Sequence, residues 1–216
     1  MNRDFFEKVS LLGFVVATGG MFGGCSKSEA SKSATPPVVA TQVRDENTAP
    51  SDKSAPSASK ADIPLRVASW EQTKEIIAGH KGKVVVLDLW STFCPPCVEE
   101  LPNLVKLHQL HGDNVVCLSL NCNYSGGGSP EEERDAILKV LRETKATFQN
   151  LISSDADETL YKKVGIASIP VIQVYDRSGK LSKQFDNEKD EYGKDGFTYT
   201  KHIMPYVEGL VKEEAK

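Results

Sequence analysis

The sequence lacks a basic excess and a long apolar run. Its 26 basic and 30 acidic side chains leave a formal charge of −4 over 216 residues. A surface that tracks phosphates needs a clear surplus of Lys and Arg, so nucleic acid is excluded as the main partner. The one extended apolar stretch, Val9 to Gly24, is too short and too rich in glycine for a comfortable membrane span. Five cysteines are too few to make a chain of this length a disulfide scaffold, and each needs its own explanation. What is present suffices for one ordinary domain with extensions, because 39% of the residues are apolar.

The first 25 residues read as an address. Arg3 and Lys8 lie in a short charged head, an apolar run from Val9 to Val16 follows, and small residues lead to Cys25. That order describes an export signal. Phe22-Gly23-Gly24-Cys25 resembles a bacterial lipobox, in which the cysteine is lipidated and becomes the mature N-terminus; Phe22 stands where Leu is usual. A plain secretory signal and an uncleaved anchor are the alternatives. Residues 26–60 are rich in Ser, Ala, Pro, Thr and Lys and contain no aromatic residue, so they are expected to form a flexible tether. A single folded domain is expected over residues 61–216.

Within that domain the apolar pattern alternates between two periods. Leu65–Ala68, Val84–Leu87 and Val115–Leu120 read as strands, the latter two as β-branched runs buried on both faces. Ser69 is placed to cap a helix running from Trp70 to about Gly79. Further helices are expected after Cys94, over Glu131–Lys145 and over Glu158–Val164, with a last one that Pro205 starts or kinks. Val171–Tyr175 and Leu181–Phe185 flank Asp176-Arg177-Ser178-Gly179 as a hairpin. Strands alternating with helices, followed by a hairpin, predict an α/β domain with a mixed sheet.

The chemistry sits in Cys94-Pro95-Pro96-Cys97. A Cys-x-x-Cys can hold zinc, but a structural zinc takes four ligands, and neither Cys117 with Cys122 nor the scattered histidines supply the second pair. Position favours redox chemistry instead. The pair directly follows a buried strand and opens a helix, where a thiol becomes reactive. With Cys94 as cap, Pro95 and Pro96 fill the first two helical positions without N–H groups. The N–H of Cys97 and the helix dipole are then left to favour a Cys94 thiolate.

With these residues in view, the sequence resembles the thioredoxin superfamily, and within it the exported TlpA/ResA-like thiol–disulfide oxidoreductases, over about residues 65–213. Trp90 and Cys94-Pro95-Pro96-Cys97 match the active-site motif, and Asp88 falls where thioredoxins keep a carboxylate beneath the second cysteine. Pro102 matches a proline inside the active-site helix, and Ile169-Pro170 matches the cis-proline loop that faces the cysteines. Glu100 matches a carboxylate of the TlpA/ResA motif, and residues 112–146 look like that group's strand–helix insertion. Phe93 replaces the more usual Trp, and Pro95 replaces Gly or a polar residue.

The resemblance implies a thioredoxin-like fold and a membrane-tethered reductant of exported disulfides, such as those of apocytochrome c. A membrane electron-donor protein would recharge it. Cys94 would attack the substrate disulfide and Cys97 would resolve the mixed disulfide. Asp88 would take the Cys97 proton, with Glu100 a second candidate for tuning it. Trp90, Phe93, Pro95, Pro96, Ile169 and Pro170 would form the substrate side. No cofactor is expected beyond the cysteine pair, and a monomer is expected. An oxidase or isomerase of the same fold, or a copper chaperone using both sulfurs, are the competing readings.

Other residues have plainer readings. Cys117 lies in an apolar strand as a small hydrophobe. Cys122 is an inert thiol, half of a Cys117–Cys122 bridge, or an auxiliary redox group. Ser125-Gly126-Gly127-Gly128-Ser129 lacks the Gly-Lys that completes a phosphate loop, His108 and His111 favour a helix dipole, and Asp186–Lys194 is a solvated loop.

Overall fold

The structure is a computed structural model that describes residues 63–188 and 190–213. Cys25 and the tether over 26–60 lie outside them. The element order is β1 (Leu65–Ala68), α1 (Trp70–Ala78), β2 (Val84–Trp90), α2 (Pro95–His111), β3 (Val115–Asn121), a 3-10 turn (Pro130–Glu133) and α3 (Arg134–Thr144). It continues with β4 (Gln149–Ser153), α4 (Asp157–Val164), β5 (Val171–Tyr175), β6 (Leu181–Phe185), a 3-10 turn (Asp190–Tyr192), a π-helical turn (Tyr199–Ile203) and α5 (Met204–Lys212). Among the described residues no helix is long and apolar enough to cross a membrane.

The strands form one six-stranded mixed sheet in the order β1-β4-β3-β2-β5-β6. The first four run parallel, β5 adds antiparallel to β2, and β6 adds antiparallel to β5, which returns it to the direction of the first four. All seven residues of β2 are buried, as a central strand covered on both faces requires. Its alternate residues divide between two cores. Val84, Val86 and Trp90 pack with Cys97, Leu101, Leu104 and Leu107 of α2 and Ile203 and Val207 near the C-terminus. Val85, Leu87 and Leu89 pack with Trp70, Ile77 and Leu160 on the other side. Burying a single Leu or Val in this way contributes about 1.5–3 kcal/mol.

Local signals set the ends. Ser69 caps α1 through a reciprocal box: its hydroxyl accepts from the Gln72 amide, and the Gln72 side chain accepts from the Ser69 amide. Lys163 of α4 bridges Asp155 and Glu71 at 2.8 and 3.0 Å, joining α4 to α1 on the second face. In the β5–β6 turn Asp176 Oδ1 accepts from the amides of Ser178 and Lys180, and Gly179 takes a φ of 83°, a conformation that a side chain would strain.

Two features depart from the sequence-based expectation. Residues 149–153 form β4, which sits inside the sheet between β1 and β3. Its Gln149-Asn150 start hides the strand period, yet Asn150 is fully buried because its amide donates to the carbonyls of Ala146 and Phe148 and its oxygen accepts from Ser119. Beyond Lys194 the chain also turns inward: Phe197, expected in a loop, and Tyr199 are buried in the core shared with α2, while the described side chains of Asp186–Lys194 are exposed or half-buried.

Candidate active site

Strand β2 ends in Trp90, and the turn Ser91-Thr92-Phe93 delivers Cys94 to the start of α2. Asn123, just beyond β3, pins that turn. Its side-chain oxygen accepts from the Ser91 hydroxyl at 2.8 Å and the Thr92 amide at 3.0 Å, and its amide donates to Thr92 Oγ1 at 2.7 Å and Glu133 at 3.0 Å. Cys94 is the N-cap, with Pro95 and Pro96 in the first turn of the helix. Cys94 and Cys97 form a disulfide with Cα atoms 5.3 Å apart. Cys94 is half-buried and Cys97 only 1% exposed, so the first cysteine is the more accessible of the two.

The residues expected at the substrate side separate into two groups. Phe93 is 77% exposed, Pro95 and Pro96 are exposed, and Ile169 and Pro170 are half-buried, joined by a cis peptide bond. Trp90 does not belong with them. It is fully buried in the core beside Cys97, and a side chain without accessible surface has none to offer a substrate. Its bulk supports the helix start from below.

Asp88 lies two residues before Trp90 on the same face of β2 and is 2% exposed. Across the sheet it stands opposite Ser119 of β3 and Ile172 of β5. Burial pushes its carboxyl up to about 7; the Tyr199 hydroxyl, which donates to Oδ2 at 2.7 Å, opposes that rise, and the charge of Glu100 adds to it. Glu100, one turn along α2 from Cys97, is half-buried. Its Oε2 accepts from the Tyr199 amide at 3.1 Å and from the Asn103 side chain at 3.1 Å. A cleft of about 260 Å³ brings these groups together: Asp88, Cys97, Glu99, Glu100 and Pro170 line it, with Asp195, Thr198 and Tyr199 from the C-terminal segment.

Tyr199 and Asn123 carry no motif, and sequence reasoning passed over both. The one available signal for Tyr199 was an aromatic residue at the end of a charged segment, just before an apolar helix.

The remaining described cysteines, Cys117 and Cys122, do not line this cleft. Cys117 and Cys122 are both free and buried, and they belong to the cores on opposite faces of the sheet, so no bridge joins them. Burial raises both thiols well above their ordinary range, which disfavours the thiolate. Among the described residues no group of three or more His, Cys, Asp or Glu side chains is placed to hold a metal.

Comparison with known proteins agrees with this geometry. The family model described as Redoxin matches residues 47–212. Sporulation thiol-disulfide oxidoreductase A of Bacillus subtilis is 26% identical over 111 residues, covering 51% of this chain and 63% of that protein. Thiol-disulfide oxidoreductase ResA of Bacillus anthracis is 24% identical over 140 residues, covering 64% of this chain and 74% of that one. The match thus spans somewhat less than two thirds of the sporulation protein. Among solved structures, a secreted Mycobacterium tuberculosis disulfide oxidoreductase homologous to E. coli DsbE aligns with a TM-score of 0.48 and 20% identity, covering 62% of this chain and 86% of that one. With the family model spanning most of the sequence and the mixed sheet, helix-capping cysteine pair and cis-proline in place, the chain belongs to the Redoxin family and has a thioredoxin-like fold.

Proposed function

We propose that this protein is an exported thiol–disulfide oxidoreductase that reduces disulfides of exported proteins. The observation that carries the reading is the asymmetry of the cysteine pair: Cys94 is accessible at the start of α2, while Cys97 is buried beside a carboxylate. In the dithiol form Cys94 attacks a substrate disulfide as the thiolate. One substrate sulfur leaves as a thiol, and a mixed disulfide joins Cys94 to the other. Cys97 then passes its proton to Asp88 and attacks the Cys94 sulfur. The second substrate thiol is released, and the two electrons have moved from the protein to the substrate. With its carboxyl raised to about 7, Asp88 is ionised often enough to accept a proton near neutrality and protonated often enough to return it.

The substrate side in this reading is the apolar rim of Phe93, Pro95 and Pro96 together with Ile169 and Pro170, and it is supported by Pro96 and Pro170 lining one cleft. An extended segment laid there meets backbone groups and apolar surface, which gives affinity with little sequence preference. Lipidation of Cys25 would tether the domain to a membrane through residues 26–60, with the domain acting as a monomer in the periplasm or outside the cell envelope. Apocytochrome c is the substrate class that the resemblance favours. An oxidising compartment demands resupply of electrons, so a membrane dithiol protein must reduce the Cys94–Cys97 disulfide after each cycle.

The deciding experiment is the equilibrium reduction potential of the pair, measured with and without replacement of Cys117 and Cys122. A value near or below about −230 mV supports the reductant, and one near about −120 to −180 mV makes the protein an oxidase or isomerase instead.

A further inference from the structure

The mechanism uses Asp88 but leaves open what holds it. A buried carboxylate on a central strand needs a donor, and the neighbours on its own sheet provide little: Ile172 is apolar, and the Ser119 hydroxyl is spent on Asn150. The donor comes from the far end of the chain. Thr198 starts the π-helical turn, its side chain accepting from the Lys201 amide. This wider turn directs the next side chain, Tyr199, into the core, where it has no exposed surface. Two hydrogen bonds fix it there. Its amide donates to Glu100 of α2, and its hydroxyl donates to Asp88 of β2.

Resting on the oxidoreductase reading above, we infer that Tyr199 is the positioning residue for Asp88, holding the carboxylate in the cleft beside Cys97 and setting the pH at which it can accept the Cys97 proton. Glu100 then acts through Tyr199: it anchors the backbone of the residue whose hydroxyl reaches Asp88. The ionisable groups around Asp88 are otherwise unhelpful to a buried anion. Cys97, Glu99 and Glu100 come from α2, Cys117 from β3 with Cys122 just past its end, and Asp195 from the C-terminal segment. None is a cation, so the Tyr199 hydroxyl is the side-chain donor that favours the ionised form.

The test follows Asp88 itself. Its carboxyl carbon is titrated by NMR in the full chain, with the signal assigned by its loss in Asp88→Asn. In Tyr199→Phe the midpoint should rise by about one pH unit, the size expected for losing a hydrogen bond to a charged acceptor. Incorporation of 3-fluorotyrosine keeps the ring and makes the phenol a stronger donor, so the midpoint should fall. The second measurement decides the matter if Tyr199→Phe does not fold. A midpoint unmoved by both changes overturns the inference, because a tyrosine that only fills space would leave it in place. The pH dependence of mixed-disulfide resolution should follow the titration. If the wild-type protein reduces no disulfide, the functional reading fails while the titration still reports on Tyr199. If it turns over with an unmoved midpoint, only the role of Tyr199 fails.

Discussion

The backbone amide of Tyr199 donates to Oε2 of Glu100 across 3.1 Å, joining residues 99 positions apart in the sequence. This bond closes the cleft around Cys97: one wall is the active-site helix, the other is a segment that enters the domain only after the sheet is complete. The carboxylates beside a motif near residue 94 are therefore held by the C-terminal part of the chain.

The proposed mechanism gives the two cysteines unequal roles, so their variants should differ in kind. Cys94→Ser should abolish disulfide reduction. Cys97→Ser should still attack but not resolve, accumulating protein covalently joined to substrate. Non-reducing electrophoresis and intact mass after mixing with a protein disulfide distinguish the two, and equal trapping by both variants would refute the assignment.

Asp88→Asn should change stability with a definite sign. The folded carboxyl is raised to about 7, above its usual value, so its protonated form is the one that suits the fold. The stabilisation from protonation is complete below about pH 4 and is lost as pH rises toward and through 7. Above that range the wild-type protein carries a buried anion that Asn does not. Asp88→Asn should therefore be more stable by a few kcal/mol, on the order of 2–4, at pH 8, with the advantage gone near pH 4. Denaturant unfolding at the two pH values checks this, and an advantage independent of pH would contradict it. The same variant should slow resolution of the mixed disulfide.

Asn123→Ala removes three hydrogen bonds that hold the turn before Cys94 and a fourth to Glu133. Because Asn123 is nearly buried, the loss should cost about 1–3 kcal/mol of stability. Amide exchange at Thr92 and Phe93 should accelerate more than in β3. Unchanged exchange at those two amides would show that the turn holds without Asn123.

Phe93→Ala should leave folding nearly untouched, within about 0.5 kcal/mol, because a side chain 77% exposed buries little. It should weaken use of a protein disulfide while sparing a small-molecule disulfide, since only the larger substrate covers the rim. Equal effects on both substrates would remove Phe93 from the docking surface.

The order of elements and the position of the redox pair were readable along the chain because both are local. A β-branched run buried on two faces identifies β2, the Ser69 hydroxyl before Trp70 identifies the start of α1, and prolines after Cys94 mark the opening of α2. Asp88 was legible only through the resemblance to thioredoxins, which keep a carboxylate at that place. Strand β4 was not, because its polar residues look like a loop until Ser119 and the carbonyls of Ala146 and Phe148 satisfy Asn150 from outside the strand. Trp90 illustrates the converse: its place beside the motif suggested contact with substrate, and packing against α2 decided that it has none. The Tyr199–Asp88 bond spans 111 positions, and no local pattern encodes a contact of that range. Sequence alone determined which residues carry the sulfur chemistry, since helix capping and strand burial depend on near neighbours. Only the tertiary structure decided which carboxylate is desolvated and which hydroxyl steadies it, because desolvation is set by every element packed around a side chain.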